Sequence, residues 1–180
     1  TGRLERLPNY EAWIDDVATE RHEFGDMRAY RLDLPRREPG SAIARFENGI
    51  ELHGYALSRS RLSAGGDLTV MLFWKSTGHV PIDHHVFVHL VREDGGMLGQ
   101  QDGEPVRGEH PTSQWVQDEM VHDAHKIVLS PDAPTGTYYV TAGMYPWPSL
   151  ERVPVFQPDG SRWPGDCIVV AEMELDADQG

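Results

Sequence analysis

The stretch DHHVFVHLVREDGGMLGQQD, residues 83–102, reads as a β-hairpin and sets the fold class. Val86, Val88 and Leu90 alternate along one face, and His85, Phe87, His89 and Val91 along the other, which is the period of two expected of a half-buried strand. Glu93-Asp94-Gly95-Gly96 supplies the turn, because Asp-Gly and Gly-Gly readily take the positive φ of a tight hairpin. Met97 to Gln101 returns antiparallel. The hairpin specifies an architecture and names no reaction.

The same signals extend outward on both sides. Leu68 to Lys75 is strongly strand-like, with Leu68, Val70, Leu72 and Trp74 on one face and Met71 and Phe73 on the other. Ala64-Gly65-Gly66-Asp67 turns into it from Ile50 to Leu57, a strand expected to place Ile50, Leu52, Gly54 and Ala56 on one face. Ala44 to Phe46 and a Glu47-Asn48-Gly49 turn come before that. After the hairpin, Asp102 to Trp115 (DGEPVRGEHPTSQW) is a long loop with two prolines and two glycines. Val116 to His122 and His125 to Leu129 read as two strand segments, and Pro131 to Gly136 as a turn. Tyr138 to Tyr145 is a long strand with Tyr138, Val140, Ala142 and Met144 on one side. Arg152 to Phe156, a Gln157-Pro158-Asp159-Gly160 turn and Ile168 to Leu175 complete the set. About eight short strands with frequent turn signals specify an all-β sandwich or barrel. Thr135-Gly136-Thr137-Tyr138 resembles a tyrosine corner, which selects an immunoglobulin-like or fibronectin-like β-sandwich.

Residues 1–38 differ from this pattern. Asn9 is placed to cap a helix over Tyr10 to Thr19, Phe24-Gly25-Asp26-Met27 is a turn, and Arg28 to Leu32 alternates like a strand. Leu34 to Gly40 is a polar linker bounded by prolines. The chain therefore divides into a helix–strand tail with linker, residues 1–38, and a β-sandwich domain, residues 39–180.

Composition bounds the function. At 180 residues, 39% apolar and 25% charged, the chain is globular. A formal charge of −13 makes nucleic acid and anionic membrane poor partners. Cys167 is the single cysteine, so no intrachain disulfide forms. No apolar run approaches the ~20 residues of a membrane span. The chain opens Thr1-Gly2 without a methionine and reads as a fragment of a longer protein.

Three stretches carry a family resemblance. They are FENGIELHGYAL (residues 46–57), VFVHLVREDGGMLGQQDGEPVRGEHPTSQW (residues 86–115) and GTYYVTAGMY (residues 136–145) with Arg152-Val153-Pro154-Val155 after it. Together they resemble an uncharacterised C-terminal β-sandwich domain of bacterial dolichyl-phosphate-mannose-type glycosyltransferase-like membrane proteins. FGDMRAYRL, residues 24–32, is similar to the segment that precedes it. The matching positions are Phe87, His89, Gln101, Asp102, Pro105, Thr112, Trp115, Asp123, Gly136, Tyr138 and Tyr145. His84, His85, His122 and His125 lie outside the match. The resemblance implies an accessory module on the extracytoplasmic face of the cell membrane (periplasmic or extracellular), attached to a membrane-embedded parent. It carries over no catalytic residue and implies no cofactor.

Candidate chemistry is sparse. On a strand, positions i and i+4 lie about 13 Å apart, so His85 and His89 cannot share a zinc whose ligands sit about 2 Å from the ion. His84 and His85 point to opposite faces. A cross-strand metal set of His89, Asp123 and His125 stays open. Asp94-Gly95 and Asp102-Gly103-Glu104 offer oxygen ligands for calcium without EF-hand spacing. Asp102, Glu104, Glu109, Asp118, Glu119 and Asp123 cluster as they would by chance in a chain of 29 acids, and no Gly-x-Ser-x-Gly elbow is present. Cys167 reads as a buried or edge thiol.

Sugar binding has the clearest physical logic, since sugar CH faces stack on aromatic rings while carboxylates, amides and imidazoles bond the hydroxyls. Trp115 with His110, Gln114 and Asp102 on one loop is the first candidate, and Trp147 in Tyr145-Pro146-Trp147-Pro148 the second, with Trp163 also available. The competing reading of each aromatic is a cap over the end of the core. The leading functional reading is a non-catalytic module binding glycan or lipid-linked saccharide. The alternative is a structural or protein-interaction module packing on the parent's other soluble loops. A metal-dependent or carboxylate hydrolase is third.

Overall fold

The computed structural model describes residues 20–24, 27–31, 36–37 and 39–176. The helix expected over residues 10–19 lies outside the described residues. Strands β1 (Glu20–Phe24) and β2 (Met27–Arg31) form an antiparallel hairpin in which Phe24 pairs with Met27. Only β2 was expected. The remaining strands build two antiparallel sheets packed face to face, a β-sandwich. One sheet contains β4 (Ala44–Phe46), β5 (Ile50–Leu57), β6 (Asp67–Ser76), β9 (Met120–Val128) and β11 (Val155–Phe156), in the order β11-β4-β5-β6-β9. The other runs β12-β10-β7-β8 from β7 (His84–Val91), β8 (Met97–Gly103), β10 (Gly136–Pro146) and β12 (Ile168–Leu175). The chain crosses between sheets after β6, β8, β9, β10 and β11; apart from the excursion into the short β11, this is the connectivity of immunoglobulin- and fibronectin-type sandwiches. Two residues of the expected linker, Arg36 and Arg37, form β3 and pair with Ala56 and Tyr55 of β5.

The opening hairpin forms as the alternation requires. Val86, Val88 and Leu90 enter the core, and the turn closes at Gly95, whose φ of +85° suits glycine. Leu68, Val70, Leu72 and Trp74 of β6 face them from the opposite sheet. Tyr138 is buried at the start of β10, and its hydroxyl donates to the Pro134 carbonyl at 2.7 Å, completing the tyrosine corner.

Three strand expectations need correction. Strand β5 does not keep one face inward. Its register with β6 shifts between Leu52 and Gly54, leaving His53 as the extra residue, hydrogen-bonded to the Gly40 carbonyl and to Glu51. Ile50 and Leu52 point to the core before this bulge and Leu57 after it, so Gly54 and Ala56 lie on the outer face. A side chain at Gly54 would collide with the Arg37 carbonyl. The expected strand from Arg152 shrinks to Val155–Phe156. The two segments expected around residue 123 are one strand, β9, unbroken through His122-Asp123-Ala124-His125.

That polar run stays in a strand because its inward members satisfy each other. Asp123 and His125 are 1% and 2% exposed. The Asp123 carboxylate accepts from the Val106 backbone N–H (2.8 Å) and the Trp74 indole N–H (3.3 Å), and pairs with His125 Nε2 (2.6 Å). His125 Nδ1 bonds the Gln101 side chain on β8. Strands β8 and β9 are edges of opposite sheets, so this chain of bonds closes one side of the sandwich.

Removing the corner hydroxyl in Tyr138→Phe should cost about 1 kcal/mol, the net value of one hydrogen bond, with an unchanged m-value in urea unfolding. Asp123→Ala should cost far more, about 3–5 kcal/mol, because it strands a buried imidazole and two N–H donors; a loss below 1 kcal/mol in the same assay would contradict that account.

Candidate functional site

The side of β7 that faces away from the core carries His85, Phe87 and His89. Their partners on β10 are Tyr145, Gly143 and Thr141, and Asp102 on β8 lies beside Phe87. Gly143 has a reason to lack a side chain: a Cβ there would penetrate the Phe87 ring. The Arg152 guanidinium covers that ring from outside, 4.5 Å from its centroid, and donates to the Gly165 carbonyl at 2.8 Å. Phe87 is consequently buried, although it stands on the outer face of its sheet.

Around Phe87 the polar groups are interlocked. The Asp102 carboxylate sits 3.1 Å from His89 Nε2 through one oxygen and accepts from the Tyr145 hydroxyl at 3.4 Å through the other. Burial holds the His89 imidazole below its ordinary range, against the opposing pull of Asp102, and burial with the Asp102 charge raises the Tyr145 phenol. Beyond Tyr145, the Trp147 ring stacks on His85 at 5.4 Å with 6° between planes. Trp147 is 63% exposed. A large aromatic face therefore stands open to solvent, backed by imidazole and next to a phenol and a carboxylate.

Next to this face lies an open groove of about 500 Å³. It is lined by Pro146, Glu151, Arg152 and Pro154, by Glu47 and Asn48 of the β4–β5 turn, and by Arg162 and Asp166. Arg162 and Asp166 form a two-bond fork at 2.6 Å in each arm. Pro146 and Arg152 belong to the groove and adjoin the aromatic face.

The first sugar candidate is dispersed by the fold. Trp115 is 2% exposed, and its indole N–H donates to the His110 carbonyl at 2.9 Å, so it caps the core. His110 bonds Glu119, whose other oxygen accepts the Val116 N–H. Gln114 is exposed beside a tryptophan that offers no open ring, and Asp102 points to the sheet face described above. Trp147 is the candidate that the fold presents. The metal set also fails to assemble. His89 is on the outer face of one sheet, whereas Asp123 and His125 point inward from the other. Among the described residues no group of three or more His, Cys, Asp or Glu side chains is placed to hold an ion. Asp94 is engaged by Arg92 and by the Gly96 N–H. Cys167 is half-buried, and burial pushes its thiol up. Sequence reasoning set His85 aside and did not weigh Arg152. The β7 alternation carried the signal for His85, since it aligns His85 with Phe87 and His89; nothing local marked Arg152.

No protein-family model matches the chain, and no curated protein matches it. Among solved structures, it is similar to the C-terminal domain of Wzt, with 14% identity, a TM-score of 0.48, and coverage of 83% of this chain and 82% of that one. It is also similar to part of the Pseudomonas fluorescens alkylpurine DNA glycosylase AlkC bound to DNA containing an abasic site analog, with 14% identity, a TM-score of 0.44, and coverage of 72% and 31%. A β-glucosidase from Listeria innocua, in complex with glucose, matches at 11% identity and a TM-score of 0.39, with coverage of 86% and 19%. The chain spans less than a third of the latter two proteins. At these values the likenesses bear on no functional argument.

The buried imidazoles generate a pH prediction. Burial lowers His84, His89 and His122 in the folded state. The unfolded chain therefore binds protons first as pH falls through about 6.5, and stability decreases with falling pH from there. Asp83 is lowered by its hydrogen bonds to Ser113, and Asp166 by Arg162, so their contributions are lost only below the ordinary carboxylate range. Tm should fall steadily between about pH 7 and pH 5, ahead of any carboxylate effect; a flat Tm across that window in buffered calorimetry would refute the assignment.

Proposed function

We propose that this chain is a non-catalytic β-sandwich module that binds saccharide on the outer face of the β12-β10-β7-β8 sheet, with Trp147 as its stacking residue. One observation carries the reading. Trp147 turns an open indole face to solvent while His85 supports its other side, and the Tyr145 hydroxyl and Asp102 carboxylate lie next along the same face. Sugar rings have an apolar CH face and a hydroxyl rim, so they need a rigid aromatic surface bordered by a few fixed polar groups. Holding the indole against an imidazole in the free protein lowers the ordering cost of binding.

The place of the module follows from the family resemblance. It would lie outside the cytoplasmic membrane as an accessory part of a glycosyltransferase-like parent and would present glycan or lipid-linked saccharide to it. No cofactor enters this function. The alternative, a protein-interaction module that packs on the parent's other soluble loops, uses the same exposed Trp147 and is separated by experiment.

In a titration against a panel of neutral mono- and oligosaccharides, tryptophan emission should shift on binding. Trp147→Ala should abolish the shift with little effect on stability, since the residue is largely exposed. Trp115→Ala should instead destabilise by about 3–5 kcal/mol as a buried cavity mutant. Absence of binding across the panel, with the parent's soluble loops captured through Trp147, would replace this reading by the protein-interaction one.

A further inference from the structure

Resting on that reading, we infer that the ligand is a neutral oligosaccharide, held at two contiguous subsites: the Trp147 face and the groove beside it. The groove of about 500 Å³ falls within the ~300–1,000 Å³ range of small-molecule clefts. That is more room than the stacking face needs for one sugar ring. The two regions are continuous, because Pro146 of the groove leads directly into Trp147, and Arg152 walls the groove while its guanidinium covers the Phe87 ring beneath the aromatic face. A chain with one unit stacked on Trp147 therefore meets Arg152 next.

The charges of the groove indicate a neutral ligand. Glu47, Glu151 and Asp166 stand against Arg152 and Arg162, and Arg162 is already committed to Asp166. Charged groups that are close to balance need no ionic partner, yet they offer hydroxyls both strong acceptors and strong donors. An anionic sugar would meet three carboxylates here, within a protein of net charge −13. The lining is too rich in charge for an apolar occupant.

The test is calorimetric titration of the wild-type chain with gluco-, manno- and N-acetylglucosamine oligomers of roughly one to six units, with uronate oligomers of the same lengths beside them. Affinity should rise about tenfold or more from one unit to three or four, which corresponds to about 1.4 kcal/mol, and then level off. Glu151→Ala should remove most of that gain and leave single-unit binding unchanged, Arg152→Ala should also remove the gain, and Trp147→Ala should remove binding at every length. Glu151 is exposed, so its variant tests the groove even where Arg152→Ala disturbs the cover over Phe87. Affinity independent of chain length, a gain undiminished in Glu151→Ala, or binding confined to uronate oligomers would overturn the inference while the stacking site stands. Failure of every sugar would overturn both.

Discussion

The Asp123 carboxylate is the constraint on which the sandwich depends most. It lies between two sheets whose edges, β8 and β9, are not hydrogen-bonded to each other as strands. Through it, β9 is tied to β6 by the Trp74 indole and to the turn after β8 by the Val106 N–H, while His125 extends the connection to Gln101 on β8. A buried carboxylate without partners would destabilise the core; with these partners it fixes the relative position of three elements. The turn also bears a cost. Val106 and Arg107 adopt φ of 53° and 57°, an unfavourable region for a β-branched residue, and the bond from Val106 to Asp123 offsets it.

Once that edge is set, the outer face of the β7 sheet has a fixed shape. Gln101 turns inward to His125, so the alternation of β8 places Asp102 outward, where it accepts from His89 and Tyr145. The inner network and the outer site thus share adjacent residues of one strand. Phe87 forms the base of the outer face, with Gly143 leaving room below and Arg152 covering it above. The binding surface we propose is a second, small hydrophobic cluster on the far side of the sheet, edged by polar groups.

Surface ion pairs contribute little to this organisation. Arg59–Asp67, Lys126–Asp67 and Lys75–Asp118 are exposed contacts of the kind worth at most about 1 kcal/mol each. The fold is carried instead by the buried apolar layer between the sheets.

Alternation and turn chemistry in the sequence were sufficient for the sandwich class, the β7–β8 hairpin, the inward faces of β6, β7 and β10, and the Tyr138 corner, because each depends on neighbours within one strand or turn. The face reversal of β5 was not legible, since the His53 bulge is decided by what Gly40 and β6 place opposite it. The continuity of β9 was hidden for the same reason: a polar run looks like a break until its partners Trp74, Val106 and Gln101 arrive from elsewhere in the chain. The site was only half legible. Composition singled out both Trp115 and Trp147, but burial depends on the path of the whole chain, and the fold covered the first and exposed the second. The neighbours that give Trp147 its setting, His85 from β7 and Asp102 from β8, were brought to it by strand pairing across sequence separations that no local pattern reports.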